Sequence, residues 1–269
     1  MTNTFPRLVA FDLDDTLAPS KAAIAPRMST LLLALAERAD VAIISGGQLQ
    51  QFRAQVVDRL PPAAPEVMSH FHLMPTCGTQ YYRPGPNGIE KIYAHFLAQS
   101  EKQRILSVIR EEAERLELWE DTPWGNILED RGSQITFSAL GQFAPLQAKV
   151  AWDPTGTKKS TLRAAVAARL PDLEVRSGGS TSIDVTHRGI DKAYGMGKLA
   201  EATGIALEDM LFIGDRLDAD GNDYPVLAMG VACQAVDGWE DTASIIENLL
   251  RKTFHSVCCW GRSYLESLR

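Results

Sequence analysis

Three short runs of wholly apolar residues constrain the fold of this chain more than any other feature. "LVAF" (8–11) leads into Asp12, "VAII" (41–44) into Ser45-Gly46-Gly47, and "MLFI" (210–213) into Gly214-Asp215. Apolar runs without alternation suit strands buried on both faces, as in a parallel sheet. Each run stops at acidic or small residues, and open α/β sheets bind ligands beyond the carboxyl ends of their strands. Three strand ends are therefore expected to converge on one site. Met28, Leu31, Leu32 and Leu35 have helical spacing, "VACQAV" (231–236) reads as a further strand, and "WEDTASIIENLL" (239–250) as a closing helix. The alternation predicts an α/β class with a doubly wound, Rossmann-like parallel sheet.

The middle of the chain breaks this pattern. "YYRPGPNG" (81–88) is turn-rich and reads as a linker leaving the core. Ser100 with Gln103 fits a capping box, and Ile105, Leu106, Ile109, Ala113 and Leu116 form one helical stripe behind it. "SQITFSAL" (133–140) and "STSIDV" (180–185) alternate apolar and polar residues, as half-buried antiparallel strands do. A second helix is expected from Lys158 to Leu170, ending before Pro171. The chain thus divides into a core made of 1–83 and 187–269 and an α+β insert over 84–186.

With 269 residues, 45% hydrophobic and 23% charged, the chain can bury a full core. Its net charge of −7 argues against nucleic acid or an anionic membrane as partner. The longest apolar runs, such as "LLLALA" (31–36), are too short to span a bilayer, and the first residues lack a secretory pattern. Cys77, Cys233, Cys258 and Cys259 show neither metal-site spacing nor a paired framework, which suits reduced thiols in the cytoplasm. No role falls to Cys258 and Cys259. A monomer or homodimer is expected.

The acids need an explanation. Asp12 and Asp14 stand two apart where a buried strand ends, so their side chains are expected on the same side. Like charges this close need a cation or a shared proton. A hard divalent ion with oxygen ligands serves, and Asp215, Asn222 and Asp223 of "GDRLDADGND" can add ligands. A phosphoryl group explains what a cation alone does not: Lys192, the Ser45 hydroxyl, and the backbone N–H groups of Gly46 and Gly47 suit the spread negative charge of phosphoryl transfer. One carboxylate can serve as nucleophile and the other as acid and base. Asp218 and Asp220 read as loop solvation, His70 and His72 as structural, and Trp119, Trp124 and Trp152 as packing of the insert.

"FDLDDTL", "IISGG", "DKAYG" and "GDRLDADGND" resemble, in order and spacing, the four motifs of the haloacid dehalogenase-like (HAD) superfamily. The insert resembles the cap of its Cof-like branch. "SGGSTSIDVTHRGIDKAYG" (177–195) and the extended fourth motif are similar to those of eukaryotic-type phosphomannomutases. The resemblance implies a HAD core with an inserted cap and an aspartyl-phosphate mechanism using Mg2+. Asp12 would be the nucleophile, Asp14 the general acid/base, and Ser45 and Lys192 charge stabilisers. Asp12, the Asp14 carbonyl, Asp215 and Asn222 or Asp223 would hold the metal. Arg131, Ser182 and Asp184 would hold a small phosphorylated substrate, a sugar phosphate. One departure matters: Gln142 stands where the mutases carry a cap arginine, and "TPWGN" (122–126) lacks their basic residues. A weaker grip on a second phosphate implies a magnesium-dependent phosphatase, with a phosphomannomutase-like sugar phosphomutase as the alternative.

Overall fold

The computed structural model describes residues 5–251, so Cys258, Cys259 and the tail lie outside the described residues. The chain forms two compact units: one gathers the residues before Tyr93 with those from Gly195 onward, and the other is Tyr93–Tyr194.

The first unit opens with β1 (Leu8–Phe11), α1 (Pro26–Ala36), β2 (Asp40–Ile44), α2 (Leu49–Gln55), α3 (Pro65–Met68), β3 (Phe71–Met74), β4 (Gln80–Gly85) and most of β5 (Gly88–Ala94), whose last two residues belong to the second. The second contains α4 (Gln99–Arg115), β6 (Leu128–Asp130), β7 (Ile135–Ser138), α5 (Leu146–Trp152), α6 (Thr157–Arg169), β8 (Leu173–Ser177) and β9 (Ser182–His187). Then α7 (Lys192–Thr203) leads back to β10 (Met210–Gly214), α8 (Tyr224–Ala228), β11 (Ala232–Ala235) and a helix over 239–251.

Seven strands form the first sheet in the order β11-β10-β1-β2-β3-β4-β5. The pairs from β11 to β3 are parallel, as their continuous apolar runs predict. All of β1 is inaccessible to solvent, and Phe11 packs with Leu13, Leu17, Phe52 and Phe71 in the core. Burying each such side chain contributes about 1.5–3 kcal/mol. Strand β1 sits between β2 and β10, with Phe11 beside both Ile43 and Ile213. The chain winds outward on both sides of β1, so this is where the strand order reverses.

The expected exit linker at 81–88 is instead a hairpin. Strands β4 and β5 extend the first sheet, β4 runs antiparallel to β3, and only Pro86 and Asn87 form the turn between them. The turn itself takes only two residues, while Pro84, Gly85 and Gly88 lie within the edge strands and Tyr81 and Tyr82 prefer the pleated edge. The second unit accordingly begins at Tyr93 and ends at Tyr194, later at each end than the expected 84–186 insert.

The second unit is a four-stranded antiparallel sheet, β6-β7-β9-β8, backed by helices. Ile105, Ile109 and Ala113 of α4 join Ile135, Phe137, Ile183 and Val185 in a separate core. Helix α4 begins earlier than the predicted Ser100 cap: its N-cap is Ala98, whose N–H donates to Glu101 Oε2 at 2.7 Å. Strand β7 is buried on both faces, with Thr136 and Ser138 also buried. Thr136 is tolerated there because its hydroxyl is hydrogen-bonded to Gln134 and Asp184.

At the amino end of β2, Asp40 receives His70 Nδ1 at 2.6 Å and lies 3.5 Å from His72 Nε2. The buried His72 meets Tyr81 Oη through Nδ1 at 2.7 Å. The two histidines therefore knit β2, β3 and β4 together, as their structural assignment predicted. Burial pushes the Asp40 carboxyl up, but the His72 and His70 rings more than reverse this and hold it below its ordinary 3.8. A lowered carboxylate stabilises the fold above its unfolded value and loses that contribution as pH falls through the folded one. Asp40→Ala should therefore lower unfolding free energy by about 1–3 kcal/mol at neutral pH, and the difference from the parent should shrink below pH 3.8 in denaturant titrations.

Candidate active site

The carboxyl ends of β1 and β10 bring three acids together. The Asp12 N–H donates to Ile213 O at 3.0 Å, continuing the β1–β10 register by one residue. One carboxylate oxygen each from Asp12, Asp215 and Asp223 lies within 4.8 Å of the others. Asp12 is 5% exposed and Asp223 is inaccessible. Asp223 returns to the site because its loop is tightly folded: Gly221 N–H bonds to Asp218 O, Asp223 N–H to Arg216 O, and Arg216 N–H to Asp223 Oδ2. Gly214 makes room, since a Cβ there would lie 2.3 Å from Asp223 Oδ2. Thr16 Oγ1 donates to Asp215 Oδ1 at 3.3 Å. Of the other residues of this loop, Asp218 pairs with Arg216, and both Asp220 and Asn222 are exposed.

Three carboxylates at this spacing repel by roughly 3 kcal/mol per pair at an effective dielectric near 20. An all-oxygen donor set of net negative charge, two of its members buried, fits a hard divalent cation. The observed donors thus suit the group that the motifs imply.

Asp14 does not join this cluster. Its Oδ1 accepts from Lys21 N–H at 2.7 Å and Gln55 Nε2 at 3.1 Å, and its Oδ2 accepts from Gln51 Nε2 at 2.9 Å. The same-side expectation assumed a strand continuing to residue 14. Regular strand ends at Phe11, and Asp15 has φ 59°, so the two-residue alternation stops there. Gln51 and Gln55 belong to none of the four motifs; their four-residue separation just after Ser45-Gly46-Gly47 is the signal the sequence carries.

Ser45 is buried at the end of β2, and its Oγ accepts from Gly47 N–H at 3.2 Å, closing the turn. A second turn braces it. Thr76 N–H donates to Gly47 O and Cys77 N–H to Ser45 O, each at 3.0 Å. Thr76, Cys77 and Gly78 have φ of 48°, 55° and 83°, three left-handed residues in succession. Gly195, the fourth residue of α7, packs directly on this turn: a Cβ on it would be 2.9 Å from Cys77 O. Lys192 opens the same helix and is 1% exposed. A lysine so deeply buried must be compensated.

In the second unit, Glu129, Thr136 and Asp184 lie side by side on β6, β7 and β9. Thr136 Oγ1 donates to Asp184 Oδ1 at 2.6 Å and receives Gln134 Nε2 at 2.9 Å. Arg131 Nη2 pairs with Glu129 Oε2 at 2.8 Å. Burial pushes the Asp184 carboxyl up, with Arg131 and Thr136 opposing it. Ser182 is half-buried two residues before Asp184, and Gly178 leaves both of them space. Arg131, Ser182 and Asp184 thus share one polar face. Glu129, Gln134 and Thr136 complete its network; alternation in "LEDRGSQITFS" was the sign of them.

The family model for eukaryotic phosphomannomutase matches residues 28–252. The chain belongs to that family. Saccharomyces cerevisiae phosphomannomutase is 25% identical over 253 residues, 90% of this chain and 93% of that protein. Human phosphomannomutase 1 is 23% identical over 227 residues, 82% and 83% of the two chains. Among solved structures, a C-terminally truncated Plasmodium falciparum IMP-nucleotidase superposes with TM-score 0.69 at 13% identity, covering 93% of this chain and 72% of that one. A haloacid dehalogenase-like hydrolase from Bacteroides thetaiotaomicron gives 0.59 at 16% identity, covering 91% and 99%. At such identities these neighbours establish the fold, a HAD-like core with a cap, as the four motifs predicted. The family is one of HAD-type phosphoryl-transfer enzymes.

Gly78→Ala tests the bracing turn. Its φ is 83°, and a Cβ would lie 2.5 Å from the Gly195 backbone. Thermal unfolding should show a loss of at least about 1–2 kcal/mol, from left-handed strain before any clash is counted.

Proposed function

We propose that this chain is a sugar phosphomutase of the phosphomannomutase type, moving a phosphoryl group between hydroxyls of a hexose phosphate. The observation that carries the phosphoryl chemistry is the meeting of Asp12, Asp215 and Asp223 carboxylates from separate segments within 4.8 Å. The family match over 28–252 supports transfer to a sugar over the hydrolysis inferred from the cap sequence.

Asp12 attacks phosphorus and becomes an aspartyl-phosphate as the sugar oxygen leaves with a proton from Asp14. The accepting hydroxyl then gives its proton to Asp14 as its oxygen takes the phosphoryl group and frees Asp12. Ser45, Gly46 and Lys192 offer donors and positive charge to the phosphoryl oxygens. Arg131, Ser182 and Asp184 would bind the rest of the sugar. Asp12, Asp215 and Asp223 would hold Mg2+, with the Asp14 carbonyl and Asn222 as further candidate oxygens; when bound it neutralises charge on the carboxylates and phosphoryl oxygens.

A second reading, hydrolysis, is favoured by two features: Arg131 is already paired with Glu129, and Gln142 stands where the resemblance to the mutases calls for a cap arginine. Water would then accept the phosphoryl group. Incubation with mannose 1-phosphate and Mg2+ separates the two. Mannose 6-phosphate as main product, stimulated by a hexose bisphosphate that is not consumed, is the expected result; free phosphate as main product selects hydrolysis. Asp12→Asn should abolish both with the fold intact by circular dichroism, and chelation should do the same reversibly. Full turnover in Asp12→Asn would remove the nucleophile from both schemes.

A further inference from the structure

Asp14 is anchored more heavily than a surface carboxylate needs to be. Gln51 and Gln55 lie four residues apart on α2 and therefore share a face. Gln51 Nε2 donates to Oδ2 at 2.9 Å and Gln55 Nε2 to Oδ1 at 3.1 Å. The backbone N–H of Lys21 adds a third donor on Oδ1 at 2.7 Å. A carboxylate has about four acceptor positions. Three are taken, and the remaining one is on Oδ2.

Two further features show that the arrangement is built. Gln55 is 3% exposed, and its Oε1 is buried with no hydrogen-bond partner. The amide spends its donor side on Asp14 and on Ala22 O, at 2.7 Å, and leaves its oxygen unsatisfied. An unsatisfied buried acceptor costs about 1–3 kcal/mol. The reverse orientation would aim that oxygen at a carboxylate and a carbonyl, so the cost is inherent in holding Asp14. Gln51 in turn depends on Gly47: a Cβ there would lie 2.4 Å from Gln51 Oε1. One glycine of the Ser45-Gly46-Gly47 turn is therefore needed to let the Gln51 amide reach Asp14.

We propose that Gln51 and Gln55 are positioning residues, a two-amide clamp that leaves Asp14 Oδ2 as the atom that exchanges the proton with sugar hydroxyls. The inference rests on the reading of Asp14 as the general acid/base. Gln55 also ties α2 to the 18–22 loop through Ala22, so a structural role must be told apart from a positioning one.

Leaving-group chemistry separates them. A sugar hydroxylate needs a proton to leave, whereas nitrophenolate leaves without one. Gln51→Met and Gln55→Met keep side-chain length and remove the donors. With hexose 1-phosphate, each variant should lose about tenfold or more in kcat, within the usual range for general acid catalysis, with KM changed by no more than about twofold. The burst of nitrophenolate from 4-nitrophenyl phosphate, which reports attack by Asp12 alone, should stay within about twofold of the parent. Equal losses on both substrates, or none on hexose 1-phosphate, overturn the clamp. Gln51 is only half-buried, so Gln51→Met decides the matter if Gln55→Met fails to fold by thermal melting. Asp14→Ala is the control: hexose 1-phosphate turnover retained in that variant defeats the acid/base assignment itself, a result distinguishable from failure of the glutamines alone.

Discussion

The mutual repulsion of Asp12, Asp215 and Asp223 is the constraint on which the site depends. Nothing in the local chain favours three carboxylates within 4.8 Å, two of them buried. They are forced together because β1 is a fully buried strand flanked by β2 and β10, and all three strands end at the same edge. Hydrophobic burial of Phe11, Ile43 and Ile213 opposes the electrostatic cost. A hard cation would offset that cost, which is why the acid cluster carries the proposed metal site.

Around the acids, the backbone is held by features that individually look unfavourable. Three left-handed residues at 76–78 brace the Ser45–Gly47 turn. Gly214 admits Asp223, Gly195 admits the 76–78 turn, and Gly47 admits Gln51. Local strain and missing side chains of this kind persist where surrounding packing over-determines them. The second unit solves a different problem: a sheet with a polar row, Glu129, Thr136 and Asp184, kept in order by one ion pair and two short side-chain hydrogen bonds.

Much of the core was legible because its signals are local. An apolar run followed by an acid or by Ser-Gly-Gly locates a strand and its end together, so Asp12, Ser45 and Asp215 could be placed without a structure. The direction of Asp14 could not. It depends on where the strand stops, and Asp15 leaves extended geometry immediately after it. The hairpin at 80–94 was hidden because Pro84, Gly85 and Gly88 look alike in a turn and in a sheet-edge strand. The burial of Thr136 was hidden because alternation reports polarity, and polar side chains with partners can be buried.

The amino-acid sequence by itself determined the class of fold, the ends of the central strands and the acids at two of them, since each follows from hydrophobic period over a few residues. Only tertiary structure decided which oxygens meet. Asp223 enters the cluster through loop hydrogen bonds and the space above Gly214, and Asp14 leaves it for amides on α2. Carboxylate placement depends on distances between segments far apart in the chain, and those are set by packing, which no local pattern encodes.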